Sequence, residues 1–103
     1  MKRRIRIFAE FGSTCLWDEE GVGICVESLT GQENEIDDKL MDWCDKLILL
    51  WHLKDDDIQM AATKKEREDF DREGLLLARE LKSILGDDYE LTYEPIDGEP
   101  VKL

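Results

Sequence analysis

The stretch from residue 36 to residue 53, IDDKLMDWCDKLILLWHL, restricts the possible fold of this chain more than any other part of it. Placed on a helix at about 100° per residue, its largest apolar side chains fall within one arc, which is typical of an amphipathic helix. The arc consists of Ile36, Leu40, Trp43, Cys44, Leu47, Leu50 and Trp51. A stripe of this width with two indole rings must be covered by the rest of the chain. The sequence therefore predicts a central helix over residues 36–53 whose apolar arc lies in the core.

A second stripe lies on the opposite side of this predicted helix. Asp38, Asp42, Asp45 and Leu49 follow one another at intervals of four, three and four residues. Pairs of like charge at such spacing destabilise a helix by about 0.2–0.5 kcal/mol each, and the helix dipole does not offset the pairs beyond the first turn. Acids that attract a partner, with Leu49 and the neighbouring Met41 as apolar contacts, are typical of a protein interface. The competing interpretation is a charged surface that serves solubility alone.

The net charge of the chain limits the classes of partner. The 103 residues include 26 acids and 14 bases, which gives a net charge of −12. Nucleic acid and anionic membrane surfaces attract basic patches, so this charge disfavours both as direct partners and favours a basic protein. No apolar run reaches the length of a membrane span. A chain of this length is expected to form a single domain, residues 1–103, in the cytoplasm.

The three cysteines, Cys15, Cys25 and Cys44, show no metal-binding or redox spacing. An odd, scattered set of this kind is typical of reduced thiols in a cytosolic protein. A thiol enzyme that uses Cys44 or Cys15 with His52, the only histidine, is one further class of function. Cys44 lies eight residues before His52 and nearer the core side, so a histidine without a chemical role is the favoured interpretation.

The acidic connection after the predicted central helix imitates a calcium-binding loop. Asp55, Asp57, Gln59 and Glu66 occupy ligand positions of such a loop, but its sixth position is Met60, where the sharp turn needs glycine. A solvated acidic connection is therefore favoured. The sequence predicts no metal, no cofactor and no enzymatic activity.

Two alternating segments, one near each end of the chain, predict neighbouring strands. Arg4 and Arg6 alternate with apolar residues near the start, and Glu90 and Glu94 do so near the end. These opposite charges could pair across adjacent strands. The predicted strands cover residues 3–10 and 88–94.

Capping boxes predict where the helices begin. Thr63-Lys64-Lys65-Glu66 opens a helix that runs to about residue 85. Thr30-Gly31-Gln32-Glu33 is a second box, and Asn34 is a competing cap for the central helix. The predicted buried stripe of the later helix is Phe70, Gly74, Leu77, Ala78, Leu81, Ile84 and Leu85. A glycine inside a helix costs about 1 kcal/mol relative to alanine, so Gly74 predicts the close approach of another backbone.

Together these elements predict an α+β fold. A small sheet is formed by the N-terminal strands and a C-terminal strand, and a two-helix hairpin packs on one face of it. Leu16-Trp17 and residues 22–26 supply two further short strands around a turn at residues 18–21. Residues from about 95 to 103, which contain Pro95, Gly98 and Pro100, are expected to be an extended tail.

Several segments together resemble a family of small acidic bacterial proteins. They are Ala9-Glu10-Phe11-Gly12, Leu16-Trp17, the helix from Leu40 to Trp51, Phe70-x-x-Glu73-Gly74-x-x-Leu77-Ala78-x-x-Leu81 and Leu85-Gly86. Some proteins of this size and charge act as immunity proteins in contact-dependent or polymorphic toxin systems, so the resemblance implies a toxin-binding protein. The motifs are mainly packing residues and turns, and they transfer no functional residue to this chain. After Trp51 the sequence departs from the W-D-D-P-like turn of the family.

The leading hypothesis is a non-enzymatic immunity protein that neutralises a bacterial toxin domain, of the basic nuclease type, by direct binding. A nuclease has a positive groove for phosphates, which an acidic protein can occupy after rapid association. The alternative is a small adaptor or regulatory subunit of unrelated bacterial machinery that binds through the same face. The predicted partner-binding residues are Asp38, Met41, Asp42, Asp45 and Leu49, with Asp18, Glu19 and Glu20 as an extension whose position relative to the helix the sequence does not fix.

Overall fold

The computed structural model describes residues 3–9, 15–47, 51–54, 57–60 and 63–103, and for residues 51–54 and 57–60 it describes the backbone only. Seven strands and three helices follow one another along these residues. In chain order they are β1 (Arg3–Ile7), β2 (Leu16–Trp17), β3 (Gly23–Ile24), α1 (Val26–Thr30), α2 (Glu35–Asp45), β4 (Trp51–Lys54), β5 (Asp57–Met60), α3 (Lys64–Leu85), a 3₁₀ turn (Gly86–Asp88), β6 (Tyr89–Tyr93) and β7 (Val101–Lys102). The α+β class predicted from the sequence is confirmed.

The main sheet brings the two ends of the chain together. Its strand order is β3-β2-β1-β6-β7, in which β1 and β6 are parallel and the other neighbours are antiparallel. Arg4 lies opposite Glu90 in the register of β1 and β6. On the outer face Arg4 pairs with Glu90 at 3.4 Å, and Arg6 pairs with Glu94 at 2.9 Å. The predicted neighbouring strands and their charge pairs are confirmed.

The end of the chain contributes a strand to this sheet. Residues 95–103 were expected to form an extended tail, but Val101–Lys102 is β7 and pairs with β6. The Leu103 N–H also donates to the carbonyl oxygen of Leu91 at 2.9 Å. The two prolines and Gly98 lie before β7 and allow the chain to turn back.

Helix α3 has the predicted bounds. Thr63 and Glu66 form the expected capping box, and Gly86 ends the helix with φ 73°, a left-handed conformation that glycine adopts without strain. The buried residues of α3 are Phe70, Gly74, Ala78, Leu81 and Leu85. Leu77 is only half-buried, and Ile84 exposes 38% of its surface, so the prediction that Ile84 belongs to the buried stripe is wrong.

The central helix is shorter than the sequence predicted. Helix α2 begins after Asn34, whose side chain accepts a hydrogen bond from the Ile36 N–H at 2.9 Å, and it ends at Asp45. The predicted continuation of this helix is wrong at residues 51–53, because Trp51–Lys54 pairs with Asp57–Met60 as β4 and β5, and residues 48–50 lie outside the described residues. The box at Thr30 is also wrong, since Thr30 ends α1 and Gly31 follows it in the left-handed conformation. Short apolar runs fit a strand as well as a helix, and LILLW at residues 47–51 is such a run.

The core is densest where α2, α3 and β6 meet. The Trp43 ring stacks on Phe70 with the ring centroids 4.7 Å apart, and its Nε1–H donates to the Phe70 carbonyl oxygen at 2.9 Å. The Tyr93 hydroxyl donates to the Asp71 carbonyl oxygen, also at 2.9 Å. A Cβ atom on Gly74 would collide with Tyr93 Oη and with the Trp43 ring. The absence of a side chain at Gly74 thus makes room for two aromatic side chains. The sequence had predicted the close approach of another backbone instead.

Two of the three cysteines that the sequence predicts to be reduced thiols form a disulfide in this structure. Cys15 and Cys44 form a disulfide with their Cα atoms 6.3 Å apart, whereas Cys25 is free. The 29 residues that separate the pair give no hint of proximity. Cys15 lies directly before β2 and Cys44 lies in the last turn of α2, so the bond joins two elements that are distant in the sequence.

Gly74→Ala should destabilise the protein although alanine favours a helix. The gain in helix propensity is about 1 kcal/mol, but the added methyl group would displace two buried rings, and overpacking of this kind costs about 1–3 kcal/mol. We expect a lower free energy of unfolding in urea titration. Ser83→Ala, on the exposed side of the same helix, is the matched control and should be neutral or slightly stabilising. An equal gain in both variants would contradict the packing at Gly74.

Tyr93 should make stability fall at alkaline pH. Burial, and then the nearby Asp71 carboxylate, raise the pKa of the Tyr93 hydroxyl above its ordinary value of 10.0. The unfolded chain therefore loses this proton at lower pH than the folded protein. The contribution is fully present below pH 10 and is lost as the pH rises from there toward the folded pKa.

Comparison with Tyr93→Phe isolates this effect from the other groups that titrate in the same range. At pH 8 the free energy of unfolding of Tyr93→Phe should be about 1 kcal/mol lower than that of the wild-type protein, because the variant lacks the hydrogen bond to the Asp71 carbonyl oxygen. At pH 10.5 the difference in unfolding free energy between the two proteins should be smaller. A difference that stays constant between the two pH values would show that Tyr93 titrates normally in the folded protein.

Candidate functional site

The outward side of α2 carries the acidic row predicted from the sequence. Asp38, Asp42 and Asp45 are all exposed, and Met41 beside them exposes 48% of its surface. Trp43 fixes this orientation, because its side chain is buried and the three acids lie on the other side of the helix axis. We call Asp38, Met41, Asp42 and Asp45 the acidic face.

The two lysines of α2 do not neutralise the acidic face. Lys39 Nζ contacts Glu80 at 3.0 Å, and Lys46 Nζ contacts Glu73 at 2.8 Å; both glutamates belong to α3. The hydrogen bond to Glu80 and its charge raise the pKa of the Lys39 amine. These pairs also show that α2 and α3 run antiparallel where they pack.

None of the cations that the structure describes pairs with the three aspartates of the acidic face. Within the part of the chain that the structure describes, Asp38, Asp42 and Asp45 form neither an ion pair nor a side-chain hydrogen bond. By contrast, Glu90 and Glu94 on the outer face of the sheet each pair with an arginine. The acidic face is therefore a local concentration of uncompensated charge.

More acids continue the acidic face toward the start of α2. A concavity of about 440 Å³ is lined by Glu27, Glu33, Asn34, Glu35, Asp37 and Asp38. Asp37 has a structural role in this group, because its carboxylate accepts hydrogen bonds from the Val26 N–H at 2.7 Å and the Glu27 N–H at 3.1 Å. It thereby caps α1 and fixes the angle between α1 and α2. The sequence did not reveal this role, since the cap lies eleven residues after the group that it binds.

The turn predicted to extend the acidic face has other contacts. The Asp18 carboxylate accepts from the N–H groups of Glu20 and Val22, both at 2.9 Å, which holds the turn between β2 and β3. Glu19 pairs with Arg3 at 3.5 Å and accepts from the Arg4 N–H at 3.1 Å. Glu20 is exposed. No hydrogen bond or ion pair among the described residues joins this turn to the acidic face.

The remaining candidates from the sequence are placed as follows. Leu49 lies outside the described residues. His52 lies in β4, where only the backbone is described. Cys44 and Cys15 are buried and bonded to each other, so neither is the nucleophile of a thiol enzyme in this structure. The calcium loop needs a helix on each side, whereas β4 and β5 form a hairpin at that place.

No helix among the described residues is a candidate for crossing a membrane. None of the helices there combines the length and the hydropathy that a transmembrane span requires.

A family comparison agrees with the resemblance seen in the sequence. The model of the Serratia CdiI immunity protein-like family matches residues 3–96. This match covers β1 to β6 and all three helices, and the chain belongs to this family. Comparison with individual characterised proteins found no match.

Replacing Asp42 and Asp45 together by asparagine should leave the fold intact and raise stability slightly. The change removes repulsion between like charges that have no cation nearby, and each such pair is worth about 0.2–0.5 kcal/mol. Urea titration should show the same cooperativity and an equal or higher midpoint. Glu73→Gln is the contrasting variant, because it removes the partner of Lys46 and should be neutral or slightly destabilising. Loss of stability on replacing the two aspartates would mean that they have structural partners.

Proposed function

We propose that this protein is a non-enzymatic immunity protein that neutralises a toxin domain by direct binding through the acidic face of α2. The family to which the chain belongs supports a toxin-neutralising role and favours it over an adaptor of unrelated machinery. The observation that carries the choice of surface is the pairing of Lys39 and Lys46 with α3, which leaves Asp38, Asp42 and Asp45 uncompensated.

The charge of this face indicates a basic partner. Three carboxylates within three turns of one helix, with further acids at its start, produce a negative potential that steers a positive surface toward them. A nuclease domain presents such a surface, because it must bind phosphates. By covering that groove, the immunity protein would exclude the nucleic acid without any chemical step. We therefore also propose that the protein acts inside the cell that makes it.

Met41 supplies the apolar contact that charge alone cannot. Exposed charges mostly set the association rate, while desolvated apolar anchors lower the dissociation rate. Met41 is flexible and exposes 48% of its surface at the centre of the row, so it can adapt to a pocket on the partner. Leu49 is proposed to extend this contact. Among the described residues, no ion pair or hydrogen bond involves the Glu20 side chain, whereas Asp18 and Glu19 in the same turn accept hydrogen bonds. Glu20 could therefore add to the negative charge.

The test is binding of the toxin domain encoded next to this protein, in a series of salt concentrations. Asp42→Asn with Asp45→Asn should slow association about tenfold at low salt, with a smaller effect at high salt, where screening is strong. Asp87→Asn with Asp88→Asn is the matched control, because it removes the same charge from two exposed acids on the turn after α3. That variant should bind with nearly unchanged kinetics.

Met41→Ala separates the two roles. It should raise the dissociation rate and leave the association rate nearly unchanged. If the control pair slowed association as much as the Asp42 and Asp45 pair, binding would depend on net charge and not on the acidic face. If neither pair changed binding in a correctly folded protein, the contact surface would lie elsewhere.

A further inference from the structure

The disulfide joins two distant parts of the fold. Cys15 lies directly before β2, and Cys44 lies in the last turn of α2. Both are buried, with 0% and 5% of their surface exposed. Trp43 and the lysines of α2 attach this helix to α3. The disulfide therefore links the end of α2 covalently to the residue that precedes β2.

The backbone at Cys15 depends on being held in place. Its φ is 66°, and it is the one residue other than glycine with a positive φ among the described residues. This left-handed conformation is unfavourable for an L-residue, because Cβ comes too close to the following carbonyl oxygen. It persists where the surroundings over-determine it. Two restraints are visible here: the bond to Cys44 and the hydrogen bond from the Phe8 N–H to the Cys15 carbonyl oxygen at 3.1 Å.

We propose that Cys15 and Cys44 form a redox latch that fixes α2 to the β1–β2 side of the protein when it is closed and releases it when it is open. Closing joins the two sulfur atoms. The two thiols give up two protons and two electrons to a disulfide oxidant such as glutathione disulfide, whose own S–S bond breaks to form two glutathione thiols. In a reducing cytosol the pair is held as thiols, so oxidation is the event that closes the latch.

Closing the latch stabilises the folded protein. A disulfide across 29 residues restricts the unfolded chain, and native bonds of this loop length typically lower the unfolding equilibrium constant about 100-fold. The open form loses the restraint that the bond to Cys44 places on Cys15, and the backbone of Cys15 can then leave the left-handed conformation. The closed form holds the helix that carries the acidic face in one position. This latch does not depend on which surface binds the toxin.

The test compares the isolated protein after equilibration with glutathione disulfide and after equilibration with dithiothreitol. After denaturation without reductant, the oxidised protein should present one alkylatable thiol, Cys25, and the reduced protein three. Peptide mapping of the oxidised protein should recover Cys15 linked to Cys44. The oxidised form should melt roughly 10 °C or more above the reduced form.

Cys25→Ala is the matched control and should keep the full difference in melting temperature. Cys44→Ala should remove the difference, so that its melting temperature is the same under both conditions. Three reactive thiols in the wild-type protein after oxidation would overturn the proposal, and this measurement does not require any variant to fold. Equal melting temperatures of the oxidised and reduced wild-type protein would overturn it as well.

Discussion

The packing of two aromatic rings over Gly74 is the contact on which the rest of the structure depends. Trp43 comes from α2 and Tyr93 from β6, and both lie against the same turn of α3. Each ring donates a hydrogen bond to a carbonyl oxygen of that turn, so neither polar atom is buried without a partner. One site thus joins two helices to the sheet, with a large apolar area removed from water. It requires glycine, because any side chain would occupy the place of the rings.

This contact also determines which residues of α2 face water. Once Trp43 is directed into the core, the period of the helix places Asp42 and Asp45 outward. Lys39 and Lys46 are seven residues apart, as are Glu73 and Glu80, so two helices in antiparallel contact can form both pairs at once. The cations of α2 are therefore used for helix packing. The acidic face is what remains on the other side.

The parts of the fold that could be predicted are those in which a local pattern and its burial agree. The alternation around Arg4 and Arg6 gave the correct strand pair, and the capping box at Thr63 gave the correct start of α3. The pattern failed at Trp51, which begins β4 at the end of a continuous apolar run whose sequence has no period that separates helix from strand. No local pattern indicates that Cys15 lies against Cys44, because their proximity depends on the packing of distant elements.

The candidate site was predictable as a row but not as an uncompensated charge. Spacing alone placed Asp38, Asp42 and Asp45 on one side of a helix, as the structure shows. The charge of a row of acids is compensated only if cations of other elements pack against it. The spacing of the acids in the sequence does not reveal whether this happens. The equal seven-residue spacing of the lysines in α2 and the glutamates in α3 was the available signal, and it becomes readable only when the two helices are known to be neighbours.

The distribution of charge bears on whether the acids serve solubility alone. A surface that is acidic only for solubility has no reason to place three unpaired acids in one row on a helix. In this protein the acids on the outer face of the sheet pair with arginines, and Glu73 and Glu80 on α3 pair with lysines. The three aspartates of the acidic face have no such partner in the part of the chain that the structure describes, although their mutual repulsion weakens the helix. A basic partner would relieve this repulsion on binding, so the unfavourable charge in the free protein becomes a favourable term in the complex.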